Sequence, residues 1–234
     1  MKKFSFFASL LIIGTFILSC TKNEIYYSCD PKLDAWVKDN IEEIRVMPME
    51  EWFEMDYKYA RPAYNALESN TKFKIWETKL KDVLRYEWNN KEKAHISTLL
   101  QYATTNKRIF EDSFNKDYQL VLKTQSFLNS WYNYAVNNLG WNKELIYAIS
   151  SDPHFIADTK GGIIVKENGI EMLLNLSRGR GDLLDCNCNL GSIWYLDCSS
   201  VLCNESSTGC GGFCLFACNG RHNLGEPDIP IELQ

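Results

Sequence analysis

Apolar residues between Asp30 and about Ser150 recur at three- and four-residue intervals, which is the spacing of one face of an α-helix. The pair Asp30-Pro31 is a favourable helix start, because a capping carboxylate is followed by proline in the first turn. Gly140 is expected to end the longest helix as a C-terminal cap. The pattern predicts helices from Pro31, from Pro48, from Ser69 or Thr71, over Lys91 to Phe110, from Asp112 or Ser113 to Leu139, and over Asn142 to Ser150.

The pattern changes after this helical part. Two apolar runs flank Asn168-Gly169, and this arrangement is the strongest short signal for a β-hairpin. An isolated hairpin is marginally stable in water, so we expect it to pack on the helices or to add to strands in the tail. The predicted fold is therefore mainly α, with a helical domain, a small β-hairpin and a C-terminal disulfide-rich module.

The N-terminus has the pattern of a secretory signal: Lys2 and Lys3 precede an apolar run over residues 4–18. That run is shorter than the roughly 20 residues that a membrane-spanning helix needs. Residues 17–20, I-L-S-C, resemble a bacterial lipobox, and the resemblance implies lipidation of Cys20, including palmitate, and cleavage before it. We therefore expect a membrane-anchored lipoprotein of the bacterial cell envelope, on its periplasmic side or at the surface. The alternative is an ordinary signal peptide with a coincidental cysteine.

Nine cysteines are present, and seven of them lie between residues 186 and 218. Clustered cysteines in an exported protein are expected to form disulfides. The paired C-x-x-C spacing of structural zinc sites is absent from the sequence, so no metal is predicted. Glycines around the last three cysteines favour turns over a helix. The disulfide candidates are Cys29, Cys186, Cys188, Cys198, Cys203, Cys210, Cys214 and Cys218.

The cysteine count leaves two pairing schemes open. Seven tail cysteines cannot all pair with one another, whereas Cys29 makes eight, so the simplest scheme ties one of them back to Cys29. In the alternative, Cys29 and one tail thiol stay free, or an odd cysteine pairs between molecules. Cys186 and Cys188 are not expected to pair with each other, because their close spacing strains disulfide geometry.

Sequence blocks in the tail resemble a known family. Asp185-Cys186-Asn187-Cys188 is followed by T-G-C-G at 208–211 and by A-C-N-G at 217–220. These blocks, in this order, look like those of the cysteine-rich peptide bacteriocin fulvocin C and of the exported proteins called fulvocin C-related. The resemblance covers about 36 of the 234 residues. It implies a disulfide-bonded, toxin-like module.

Charge and motif content narrow the possible functions. The net charge of −5 and the lack of a basic patch argue against nucleic acid as a partner. From residue 186 onward the one basic residue, Arg221, stands against five acidic residues, which is the wrong sign for attraction to anionic lipid. The apolar stretch 213–216 is predicted to lie either in the core or at a protein or membrane target.

Enzymatic signals are weak. His154 is predicted to be a solvated turn residue and His95 a surface or packed helix residue, and the common nucleophile, metalloprotease and phosphate-loop motifs are absent from the sequence. A nucleophilic Cys203, Cys210 or Cys214 would need a free thiolate. We therefore predict a protein that is not an enzyme, with no catalytic residues and no cofactor.

The chain is divided as follows: residues 1–19 signal peptide, 20–29 anchor/linker, 30–176 helical domain ending in the hairpin, 177–185 linker, 186–224 cysteine-rich module, and 225–234 terminal tail. We otherwise call all residues from 186 onward the tail. Arg178 and Arg180 are candidates for a proteolytic processing point, and the alternative is a solvated linker. Two functions remain open. One is a bacteriocin-like precursor of a secreted toxin peptide. The other is a non-toxic binding or structural lipoprotein with the cysteine-rich tail as a stability or interaction module.

Overall fold

Eight α-helices lie between Pro31 and Ser150 in the computed structural model, which describes residues 24–175, 198–200, 204–222 and 227–230. Side chains are described for 24–174 and 204–219. The helices are α1 (Pro31–Asp39), α2 (Ile41–Val46), α3 (Met49–Phe53), α4 (Tyr57–Ala66), α5 (Ser69–Val83), α6 (Asn90–Thr105), α7 (Tyr118–Leu139) and α8 (Lys143–Ser150). The mainly α fold is as predicted.

The predicted helix ends are confirmed at three places. The carboxylate of Asp30 caps α1 by accepting hydrogen bonds from the backbone N–H groups of Lys32 and Leu33, at 2.7 and 3.2 Å. The side chain of Asn142 caps α8 in the same way. Gly140 ends α7 in the left-handed conformation, with φ of 68°.

Other helix boundaries differ from the prediction. Helix α4 was not predicted, because Pro62 within it hides the helical spacing. The helix expected to run to Phe110 ends at Thr105 and is followed by a 3-10 helix, Lys107–Phe110. The longest helix begins at Tyr118, since the Asp117 carboxylate, not Asp112 or Ser113, accepts the cap hydrogen bond from Leu120 N.

The hairpin around Asn168-Gly169 is confirmed, with strands β1 (Gly162–Glu167) and β2 (Ile170–Asn175) paired antiparallel. Asn168 and Gly169 have φ of 52° and 76°, as a two-residue type I′ turn requires. The hairpin both packs on the helices and pairs with a strand of the tail, so each of the two expected arrangements is found. Its residues Ile163 and Val165 are buried with the helices, and β2 pairs with a tail strand, Pro227–Pro230.

The tail supplies five short strands: β3 (Cys198–Ser200), β4 (Ser206–Cys210), β5 (Phe216–Cys218), β6 (Gly220–His222) and β7 (Pro227–Pro230). The described strands form one three-stranded sheet, β1-β2-β7, and two antiparallel pairs, β3-β6 and β4-β5. A single 3-10 turn, Gly212–Cys214, joins β4 to β5 and carries Cys214, whereas Cys210 and Cys218 are the last residues of the two strands. The three cysteines therefore do not share an α-helix, but a turn is found at only one of them.

One hydrophobic core contains both the helices and the tail. Trp76 of α5 and Ile146 of α8 belong to the same buried cluster as Cys210, Phe213 and Leu215 of the tail. The stretch 213–215 is therefore core, which decides between the two environments that its apolar character allowed. None of the helices in the described part of the chain is both long and apolar enough to cross a membrane.

Candidate functional site

The segment 209–215, which runs from the end of β4 through the turn to the start of β5, inserts into the helical domain, and its glycines make this close approach possible. We call this segment the inserted loop. A Cβ atom on Gly209 would lie 2.7 Å from Nδ2 of Asn65 in α4, and one on Gly212 would lie 2.8 Å from the Leu128 side chain in α7. Gly209 also has φ of 116°, a conformation that strongly favours glycine. The loop therefore needs glycine for space and for backbone geometry.

Phe213 at the centre of the loop is completely buried. Its ring meets Trp76 edge-on with centroids 5.2 Å apart, and Phe110 in the same manner at 5.9 Å. Phe213 and Cys214 have φ of 57° and 56°, which is unusual for residues with a side chain and costs conformational energy. The packing of this ring supports that backbone conformation.

Arg61 of α4 connects the tail to a buried polar network. Its guanidinium donates to the carbonyl oxygen of Gly209 at 3.0 Å, to the Tyr147 hydroxyl at 2.5 Å and to Asp152 Oδ2 at 3.3 Å. The side chain of Arg61 is buried, so these partners replace water around its charge. The tail backbone is thus one of the groups that satisfy a buried cation.

Asp152 is the anion of this network and is completely buried. It accepts hydrogen bonds from the Tyr57 hydroxyl at 3.1 Å and from the backbone N and Nδ1 of His154 at 2.9 and 2.8 Å. Burial alone would raise the pKa of Asp152, but His154, Arg61 and Lys79 together hold that pKa well below its usual range. Asp152 is therefore ionised throughout the physiological range.

Lys79 of α5 lies on the other side of the same network and is also completely buried. Its ammonium donates to the backbone carbonyl oxygens of Ala148 and Asp152, which lie at the end of α8 and just beyond it. Burial lowers the pKa of Lys79 to about 8. Lys79 thereby ties α5 to the end of α8.

Cys214 was a disulfide candidate, and this prediction is wrong because its thiol is free and buried. Cys210 at the end of β4 and Cys218 at the end of β5 have Cα atoms 5.3 Å apart and form the disulfide between themselves. The Cys214 thiol instead donates to the carbonyl oxygen of Ser151 at 3.1 Å. Burial raises the pKa of Cys214 to about 12, which removes the thiolate that a nucleophile needs.

Cys29 is disulfide-bonded. Its partner is none of the three cysteines between 204 and 219, because Cys210 pairs with Cys218 and Cys214 is free. The scheme in which Cys29 stays unpaired is therefore excluded.

Four predicted sites fall outside the described part of the chain: Cys20, the signal peptide, the 177–185 linker and the processing candidates Arg178 and Arg180. The same applies to the side chains of Cys186, Cys188, Cys198 and Cys203.

The two histidines of the helical domain are both packed. His154 was predicted to be solvated and is instead buried between the rings of Trp52 and Tyr57, because its ring is held by Asp152. Its Nε2 atom has no hydrogen-bond partner among the described residues.

His95 stacks on Trp131 with centroids 4.5 Å apart and donates from Nε2 to the Trp131 carbonyl at 3.0 Å. Burial lowers the pKa of His95 to about 4.

The charged members of this site were missed from the sequence. Lys79 and Arg61 lie in amphipathic helices, where charged residues usually face water. The one available signal is that Arg61 stands among Ala60, Pro62 and Ala63, with no polar neighbour on either side. An arginine within such an apolar stretch is expected to be buried and to need hydrogen-bond or ion-pair partners in the core.

A cavity of about 280 Å³ lies where the tail meets the helices. Ser207, Thr208, Cys214 and Leu215 form its tail side. Its remaining walls come from the segment 25–27, the ends of α2 and α4, the start of α5, and the 3-10 segments of residues 109–116.

No protein-family model, curated protein or solved structure matches this chain. Among the described side chains, no three histidine, cysteine, aspartate or glutamate residues are arranged to hold a metal ion. The donors and acceptors of the buried network are directed at one another and at the tail backbone. The buried network therefore holds the tail against the helical domain.

Proposed function

We propose that this protein is a lipid-anchored protein of the bacterial envelope whose helical domain is the receptor for its own cysteine-rich tail. In this role the tail is a retained structural or binding module. The observation that carries the proposal is the complete burial of Phe213 between Trp76 and Phe110. The lipid anchor rests on the lipobox-like residues 17–20.

The energetics of the junction favour retention of the tail. Burying a phenylalanine side chain contributes roughly 1.5–3 kcal/mol. Withdrawal of the tail would also remove the Gly209 carbonyl from Arg61 and the Cys214 thiol from Ser151. Leaving such buried polar groups without partners costs about 1–3 kcal/mol each. Both effects oppose release of the inserted loop.

The disulfide of Cys29 supports the same function. If Cys20 carries the lipid, the cysteines that remain as partners for Cys29 are Cys186, Cys188, Cys198 and Cys203, all of which belong to the tail. A covalent bond would then join the beginning of the helical domain to the tail. Cleavage at Arg178 or Arg180 would leave that bond intact.

The proposal is tested by cutting the linker in the purified full chain. A site for a specific protease is placed within residues 177–185, the protein is cut, and the two pieces are separated by gel filtration without reductant. We expect the tail to stay with the helical domain in the parent chain. It should also stay in a Cys29→Ser variant, in which the packing alone must hold it.

The matched control for the packing is Cys29→Ser combined with Phe213→Ala, and we expect the cut tail of this double variant to elute separately. Elution of the tail away from the helical domain in the cut Cys29→Ser variant would contradict the proposal. Gel filtration of the uncut chains shows whether each variant is folded before cleavage.

A second function, that of a bacteriocin-like precursor, is favoured by one specific observation. The two blocks that carry the fulvocin C resemblance, residues 208–211 and 217–220, flank the same loop, and the Cys210–Cys218 disulfide joins them. In this function the helical domain carries and neutralises the tail until it is released.

The two functions differ in what reaches the culture medium. A precursor releases a fragment that begins near residues 182–186, and replacing Arg178 and Arg180 with alanine should abolish both the fragment and any growth inhibition of neighbouring cells. Mass spectrometry of the medium and of the cell fraction distinguishes them. An intact, cell-bound chain in both strains would count against the precursor.

A further inference from the structure

The cavity at the junction of tail and helices is lined by both apolar and charged residues. Ile109, Phe110, Phe114 and Leu215 supply apolar surface. Lys72, at the start of α5, supplies a buried ammonium group. A volume of about 280 Å³ lies just below the usual range of small-molecule sites in proteins, so only a small ligand fits.

Lys72 is only partly compensated by its neighbours. The residue is 6% exposed, and its Nζ donates to the carbonyl oxygen of Asn65 at 3.0 Å. Its ion pair with Asp112 spans 3.8 Å, and the Asp112 side chain is 79% exposed, so that carboxylate remains largely solvated. An ammonium group has three donors. Two of the Lys72 donors are therefore left for a group inside the cavity.

The charged residues that line the cavity include more cations than anions, which favours binding of an anion. Arg45 and Lys116 add positive charge to the lining, and Glu111 and Asp112 add negative charge. Glu111 accepts a hydrogen bond from the Ser113 hydroxyl at 3.0 Å, outside the lining. Burial lowers the pKa of Lys72, which is the expected response of a cation without a close counter-ion. An anion bound beside Lys72 would supply that counter-ion.

We propose that this cavity binds a small organic carboxylate that carries a short hydrocarbon or aromatic group. The carboxylate pairs with Lys72, and the apolar group packs against Ile109, Phe110 and Leu215. Because a buried charge is stable only when it is paired and hydrogen-bonded, the carboxylate compensates the ammonium group. The apolar group is stabilised by the surface that it removes from water.

This inference rests on the docked tail of the proposed function, because Ser207, Thr208, Cys214 and Leu215 form one side of the cavity. A ligand that binds only the docked state must stabilise that state by mass action. Binding of the carboxylate and retention of the tail are then coupled, and each should strengthen the other.

Octanoate is a suitable probe, with octylammonium and 1-octanol as matched compounds of opposite and zero charge. Binding to the full chain in detergent is measured by calorimetry, and the thermal midpoint is followed with increasing probe. We expect saturable binding of octanoate that raises the midpoint, and binding at least tenfold weaker for the other two compounds. Equal binding of all three would overturn the proposal.

Two variants locate the site. Lys72→Met should weaken octanoate binding at least tenfold, whereas Lys74→Met, the same change at an exposed position of the same helix, should leave it unchanged. Ser207→Trp keeps Lys72 but fills the cavity from the exposed tail side, and should also prevent binding even if Lys72→Met does not fold. Unchanged binding in the Ser207→Trp variant would overturn the proposal.

The linker-cutting experiment on the same samples separates this inference from the proposed function. A tail that stays bound while octanoate fails to bind refutes the carboxylate site alone. A tail that separates after cleavage refutes the docked tail, and with it both the proposed function and the site.

Discussion

The ring of Phe213 stands edge-on to the indole of Trp76, with ring centroids 5.2 Å apart, and this contact joins the inserted loop to α5. The indole N–H of Trp76 donates to the Tyr64 hydroxyl at 2.8 Å, and that hydroxyl donates to the Phe213 carbonyl oxygen at 3.4 Å. The side chain and the backbone of one tail residue are therefore both held by the helical domain.

Replacing Phe213 with alanine should lower the free energy of unfolding by about 3–5 kcal/mol, because the change leaves a cavity in the core. Urea unfolding followed by tryptophan fluorescence measures the loss. Phe216→Ala, at a half-buried position at the start of β5, is the control and should cost clearly less. Equal losses in the two variants would show that Phe213 contributes no more to the free energy of unfolding than the half-buried Phe216.

Arg61 and Asp152 form a buried ion pair, and removing either partner should be strongly destabilising. Arg61→Met and Asp152→Asn should each lower the free energy of unfolding by about 3–5 kcal/mol, because the other charge is left uncompensated. The double variant should lose less than the sum of the two, which a double-mutant cycle measures. Strict additivity would mean that the two residues act independently.

Acid should destabilise the protein through His95. Burial lowers the pKa of His95 to about 4 in the folded state, whereas an unfolded histidine has a pKa of about 6.5. Between these values the unfolded chain binds the additional proton, so this contribution is fully present above pH 6.5 and is lost as the pH falls toward 4. The loss is on the order of 3 kcal/mol.

The control for this pH dependence is His95→Gln, which keeps a donor near the Trp131 carbonyl but does not titrate. We expect urea midpoints of this variant to change less than those of the parent chain between pH 7 and 4.5. The ionisation of Asp152 adds a further acid-sensitive contribution at lower pH, since its folded pKa is held well below the usual range. Parallel profiles for the two proteins would rule out His95 as the source.

Cys214 should resist alkylation in the native protein, since its thiol is buried and burial raises its pKa to about 12. Iodoacetamide should modify it only after denaturation without reductant. Mass spectrometry of the parent chain and of Cys214→Ala should then differ by one label in denaturant and by none in the native state. Native labelling at Cys214 would show that the loop leaves the core.

Local sequence features predicted much of the fold. Asp30, Asn142 and Gly140 determine helix ends through hydrogen bonds and backbone conformations within a few residues, so they could be identified from the sequence. Asn168-Gly169 determines its turn in the same way. Helix α4 could not be identified, because its proline and its buried arginine both depart from the usual amphipathic pattern.

The candidate site was less predictable, because its residues are distant in sequence. Arg61 meets Asp152 and Gly209, which lie about 90 and 150 positions further along the chain. The sequence indicated that cysteines 210 and 218 would be oxidised, but not that Cys214 would be free. That difference depends on how the irregular β4-β5 pair and its turn place the three side chains in space.

By itself, the sequence determined the helical character of residues 30–150, the hairpin, and that the last three cysteines do not share an α-helix, since these depend on neighbouring residues. The tertiary structure decided where the glycine-rich tail lies. The stretch 209–214 has no charge and fits equally well at an interface or in a core. Only the space between α4, α5 and α7, together with buried cations that need partners, places it inside the helical domain.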